Sequence, residues 1–220
     1  MNYTLVTDGP SDANLMPIID WTLRSAGGVD LPNGTRAEFW RLPERPASLK
    51  ARIAKAIELF PCEIIFIHRD AERDEPAVRN REIQGAVEAA AEGGCQLPAI
   101  AVIPVRRLEA WLLFDEGAIR SAAGNPNGRT ALALPGLRVE GRPDPKDDLK
   151  QALQTASELT GRRLKKFPSK KAFWRVVDCI DDFTPLRNLR AFQAFEATVR
   201  RVAQANWLPG FYGLETDNTE

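Results

Sequence analysis

Over the first half of the chain, short runs of β-branched and aliphatic residues alternate with longer segments whose apolar positions recur every three or four residues. That alternation builds parallel strands joined by crossover helices, so the predicted class is α/β, a mostly parallel sheet with flanking helices. Tyr3 to Thr7 reads as a first strand. Asp12 to Ala26 follows as a helix with Leu15, Ile18, Ile19 and Leu23 on one face, closed by Gly27-Gly28. Ala37 to Leu42 alternates like an edge strand, and Ala47 to Leu59 returns as a helix bearing Leu49, Ile53 and Ile57. The uninterrupted run Ile64-Ile65-Phe66-Ile67, within Glu63 to His68, suits a strand covered on both faces. Ala77 to Ala91 is a helix, and Pro98 to Pro104 supplies a fourth strand.

Beyond Val105 only helical spacing is visible: Leu108 to Phe114, Glu116 to Ala122, Lys146 to Thr160, Lys170 to Asp181 and Asn188 to Ala205. A Gly/Pro/Asn-rich loop from Gly124 to about Asp144 interrupts them. In the last helix Leu189, Phe192, Phe195, Val199 and Val202 form one stripe. The expected organisation is an α/β domain over 1–115, a helical region over 116–212 packed on it, and a flexible tail over 213–220.

Composition narrows the class without naming a chemistry. The 220 residues are 44% hydrophobic and 27% charged, and thirty Lys plus Arg balance thirty Asp plus Glu. A core is affordable at this length without staples, and the neutral sum predicts no polyanionic partner by itself. Cys62, Cys95 and Cys179 lack zinc or redox spacing and are expected as buried thiols in a reducing cytosol. No apolar run reaches the ~18 residues of a membrane span, and the first residues do not read as a signal peptide, so the expectation is a cytoplasmic protein without membrane contact.

The chemistry gathers at the strand ends, where the loops of an open parallel sheet converge on ligands. Asp8 follows the first strand, with Asp12 four positions on; Asp70 and Glu72 follow the third; Glu109 lies five positions past Pro104. Carboxylates packed together repel, and hard oxygen ligands suit Mg²⁺ or Mn²⁺, so the set points to a divalent cation acting on a phosphodiester. Each acid also has a plainer reading: Asp8 to Asp12 suits a turn into an N-cap, Asp70 to Asp74 a polar loop, and Glu109 a helix start. A single histidine, His68, ends the third strand and reads as a hydrogen-bonded structural residue. There is no nucleophile elbow, no Gly-x-x-x-x-Gly-Lys loop and no Gly-x-Gly-x-x-Gly turn, which argues against serine hydrolysis, NTP hydrolysis and dinucleotide redox chemistry.

Asp8-Gly9-Pro10-Ser11-Asp12 resembles the Glu-Gly-x-x-Asp motif of TOPRIM domains, and Asp70-Ala71-Glu72 resembles their Asp-x-Asp. With Ile103-Pro104-Val105-Arg106-Arg107-Leu108-Glu109-Ala110-Trp111 and Asp144-Pro145-Lys146, the chain is similar to a bacterial TOPRIM-like family, some of whose members are encoded beside ATPases in phage-defence loci. The resemblance implies a TOPRIM-like sheet and a Mg²⁺- or Mn²⁺-dependent nuclease serving antiviral defence. Asp8 would then take the acid/base or metal role and Asp12, Asp70 and Glu72 would hold metal; Glu109 is the candidate to complete the catalytic site, and Lys146 the candidate there to stabilise phosphate charge. Asp8 in place of Glu shortens the reach by one methylene, and Glu72 in place of Asp lengthens it. The alternative is a catalytically weak module that binds nucleic acid or an ATPase partner.

Arg107 is a candidate phosphate ligand. From Arg138 to Arg175 eleven basic residues face five acidic ones, an excess of six. Arg162, Arg163, Lys165 and Lys166, with Phe167 and Trp174 nearby, could contact phosphates and stack on bases, or simply form a solvated helix boundary. The partners expected are nucleic acid and an ATPase encoded nearby. Oligomeric state stays open, a homo-oligomer included.

Overall fold

The computed structural model describes residues 1–94 and 96–213. Five strands, β1 (Asn2–Val6), β2 (Asn33–Arg36), β3 (Ile64–His68), β4 (Pro98–Val102) and β5 (Gly210–Tyr212), form one sheet in the order β2-β1-β3-β4-β5. Every pairing is parallel, so the protein is α/β with an all-parallel sheet flanked by helices.

The period of two in each strand sorts the core into two faces. Val6, Ile65, Ile67, Ala99 and Ala101 join Ile53 and Ala56 of α2 (Leu49–Leu59) and Ile83, Val87 and Ala90 of α3 (Pro76–Ala91). On the opposite face Tyr3 and Phe66 meet edge to face at 5.3 Å, and Phe66 meets Phe195 of α8 (Arg190–Gln204) at 6.2 Å. Tyr3 donates its hydroxyl to Asp20 Oδ1 of α1 (Leu15–Ala26) at 2.8 Å, which sets α1 on that same face. β3 and β4 are buried at every position, as expected for strands covered on both sides.

Two chain-path expectations are corrected. The second strand is Asn33–Arg36, and Ala37 to Leu42 leaves the sheet after one bond from Ala37 N–H to the Leu5 carbonyl. Polar Asn33-Gly34-Thr35-Arg36 carries little strand pattern, yet Gly34 is required: a Cβ there would lie 2.2 Å from the Tyr3 ring. The helix expected from Asp12 starts as a 3-10 turn over Pro10–Asn14 before α1.

The last third also departs from an all-helical reading. Contacts divide the chain into two compact units: Met1–Ile103 with the described residues from Ala191 on, and Pro104–Arg190. Residues 104–190 are thus an insertion between β4 and the α8–β5 end of the sheet, whereas the sequence suggested a boundary near 115. Phe192 and Phe195, core residues by their spacing, are both buried, and Phe195 covers the sheet at Phe66. Gly213, expected in the tail, accepts hydrogen bonds at its carbonyl from Thr198 and Arg201; the rest of that tail lies outside the described residues.

The inserted unit contains α4 (Glu116–Ala122), α5 (Pro145–Ala156), α6 (Gly161–Lys165) and α7 (Ser169–Asp178), and α4, α5 and α7 pack on one another. Asp115 and Asp144 start α4 and α5 as side-chain N-caps, accepting from Ala118 and Asp147 amides. Cys62 and Cys179 are free and half-buried, where buried thiols were expected; Cys95 lies outside the described residues. Among the described residues no helix is long and apolar enough to cross a membrane.

Candidate functional site

The connection after β1 runs to β2 on one side of the sheet and the connection after β3 runs to β4 on the other, so the crevice between β1 and β3 is the topological switch point. Ligands of open parallel sheets bind outside the carboxyl ends at such a point. The turn after β1 brings Asp8 and Asp12 there, and the end of β3 brings His68 and Asp70.

His68 organises this crevice. It is 2% exposed, and its Nδ1 lies 3.1 Å from the Val102 carbonyl. A carbonyl can only accept, so Nδ1 carries the proton of that bond and Nε2 faces the acids. Asp70 Oδ1 is 3.5 Å and Asp12 Oδ2 4.0 Å from Nε2. Asp12 is locked by its own turn: Oδ2 accepts the Gly9 N–H at 2.9 Å and Oδ1 the Ser11 hydroxyl at 3.2 Å. Asp12 is thus not the helix N-cap of the plainer reading: Gly9 starts the 3-10 turn, and Asp12, three residues on, reaches back to its amide while its carboxylate sits at the crevice. On the same turn Asn14 is 3% exposed, and its side-chain nitrogen has no hydrogen-bond partner among the described residues. A bound water or phosphate oxygen satisfies such a donor.

The other predicted acids are engaged elsewhere. Asp8 is clamped between Arg52 at 2.7 Å and Arg69 at 2.8 Å. Glu72 adopts the left-handed conformation (φ 55°), and its carboxylate faces Arg79 at 3.9 Å. Arg69 and Arg79 both reach Glu82, at 3.0 and 3.1 Å, and Arg79 also holds Asp74 at 3.0 Å. Repulsion among strand-end carboxylates was the reason to expect a metal, and around Asp8 and Glu72 arginines answer that repulsion instead. Arg52, Arg69 and Arg79 were missed because a helix or loop arginine looks solvated until the fold brings an acid to it.

Glu109 and Lys146 lie in the inserted unit. Glu109 is buried in the 3-10 turn Leu108–Leu112, where an α-helix to Phe114 was expected, and the exposed Lys146 ammonium stands 3.9 Å from it. Arg107 is exposed at the start of that turn. Arg162, Arg163 and Lys165 lie on α6 and Lys166 follows it; all four are exposed and form no ion pair among the described residues. A broad groove of about 820 Å³ is lined by Phe167, Lys170, Lys171, Trp174 and Arg175, and Arg162, Arg163, Lys165 and Lys166 are not part of that lining.

Among the described residues no three His, Cys, Asp or Glu side chains form a group able to hold a metal ion, so a three-ligand protein cage does not fit. Mg²⁺ needs less: it keeps several waters and is commonly held by one or two carboxylates together with substrate phosphates. Asp12 and Asp70, facing one imidazole, are the pair that meets this weaker requirement. Comparison with family models, curated proteins and solved structures finds no match for the chain.

Proposed function

We propose that the protein hydrolyses phosphodiester bonds of nucleic acid with the help of Mg²⁺ or Mn²⁺, at the crevice between β1 and β3, as a TOPRIM-like nuclease. The observation that carries this reading is the convergence of Asp12 and Asp70 on His68 Nε2 at the switch point. Asp12 and Asp70 would hold the cation, which supplies charge neutralisation at the phosphate and lowers the pKa of a bound water. His68, its ring fixed by the Val102 carbonyl, presents Nε2 to both carboxylates. The Asn14 side-chain nitrogen, buried on the same turn as Asp12 without a partner among the described residues, would be a donor for a phosphate oxygen. Asp8, held by Arg52 and Arg69, positions those two guanidinium groups at the rim, so its share is phosphate binding more than proton transfer. The antiviral setting and the ATPase partner that the resemblance implies belong to the same proposal.

A second reading, a non-cleaving module for nucleic acid or an ATPase, is favoured by the diversion of Asp8 and Glu72 to arginines. The two separate in one assay on single- and double-stranded DNA and RNA with Mg²⁺ or Mn²⁺. The enzyme reading expects metal-dependent cleavage that falls by ~100-fold or more in Asp70→Asn, because a centre displaced or stripped of a ligand loses at least that much. Cleavage that Asp70→Asn leaves intact refutes this centre. Binding without cleavage, with or without the ATPase, establishes the second reading.

A further inference from the structure

Beside the crevice, over the carboxyl ends of β1 and β2, lies a separate cavity of about 390 Å³. That is within the roughly 300 to 1,000 Å³ typical of small-molecule sites. Asp8, Arg36, Glu38, Trp40, Arg45 and Arg52 are among its lining. The two carboxylates do not make it acidic, because each is already held twice: Asp8 by Arg52 and Arg69, Glu38 by Arg36 and by the Trp40 indole N–H at 2.8 Å. Those same bonds, Trp40 first, hold the Glu38 carboxyl below its ordinary range, so it stays ionised and engaged. Arg45 makes no ion pair among the described residues, and Arg52 spends one of its N–H groups on Asp8, so guanidinium donors remain for an anion.

Trp40 supplies the second half of the recognition. It is 57% exposed, an unfavourable position for an indole without a partner, yet it is not loose. Its N–H is tied to Glu38, and the Arg41 guanidinium lies 4.6 Å over its ring. An anchored aromatic plane beside the Arg45 guanidinium and the remaining N–H donors of Arg52 is the arrangement that stacks a base and holds the attached phosphate.

We infer that this cavity binds a nucleoside 5′-phosphate unit, the base stacked on Trp40 and the phosphate held by Arg45 and Arg52. The unit comes either from a free nucleotide or from a nucleic-acid strand. The inference does not rest on cleavage.

The test is calorimetric titration of the full chain in EDTA, which removes the proposed metal chemistry, with AMP, adenosine, inorganic phosphate and a 5′-phosphorylated single-stranded trinucleotide. AMP should bind saturably, with adenosine and phosphate each at least tenfold weaker. Arg45→Ala and Trp40→Ala should each weaken AMP at least tenfold, Trp40→Phe should retain binding, and circular dichroism should be unchanged because both side chains are exposed. Binding of the trinucleotide but not AMP, with the same losses in the variants, assigns the site to a strand. Binding of neither, equal affinity for adenosine and AMP, or indifference to both alanine variants overturns the assignment.

Discussion

Single side chains in this protein take their electrostatic character from who reaches them more than from their own type. Asp8 and Asp12 come from one five-residue motif, yet Asp8 is clamped by two arginines while Asp12 reaches back to the Gly9 amide and faces His68. Glu158 shows the same principle in the inserted unit. Its carboxylate accepts backbone N–H bonds from Thr130 at 2.7 Å and Arg129 at 2.5 Å, and those bonds, Thr130 first, hold its pKa down to about 2 from an ordinary 4.5. Between those values the unfolded chain binds a proton that the folded chain refuses. The stabilisation is therefore complete above about 4.5 and is lost as pH falls through about 2. In Glu158→Gln that component should vanish, so urea unfolding across this acid range should show a flatter pH profile than wild type. An identical profile would mean that the two amides do not govern Glu158.

At the scale of elements, buried strands announce themselves and edge strands do not. The Ile64 to Ile67 run is apolar because both its faces are covered, whereas β2 pairs with β1 alone and can be polar. What β2 needs is close approach to the Tyr3 ring, and only glycine at position 34 permits it. Tyr3 cannot swing aside cheaply, since it is 1% exposed and its hydroxyl is tied to Asp20. Gly34→Ala should destabilise the protein by about 1–3 kcal/mol through overpacking, read as a lower urea midpoint with an unchanged slope. A neutral result would show that β2 shifts freely on β1.

For the molecule as a whole, the decisive feature is the return of the chain to its sheet after an excursion of 104–190. The α8 stripe and β5 complete what β4 began, and Phe195 covers Phe66 at the centre. A chain ending at Arg190 should therefore fail to unfold cooperatively, because it bares one face of β3 and leaves β4 as an edge; burial of a phenylalanine alone is worth about 1.5–3 kcal/mol. A sharp thermal transition in that shortened chain would refute the assignment of α8 to the sheet.

Sequence periodicity alone determined the α/β class, the two central strands, nearly every helix and the acids at the strand ends, because burial on both faces and the 3.6-residue repeat leave local marks. Only the tertiary structure decided which acids share a centre, that His68 stands between Asp12 and Asp70, that arginines from α2, β3's end and α3 neutralise the others, and that the last helix belongs to the sheet. Those outcomes depend on contacts between residues far apart in the chain, and a side chain carries no local record of the partner that folding will bring to it.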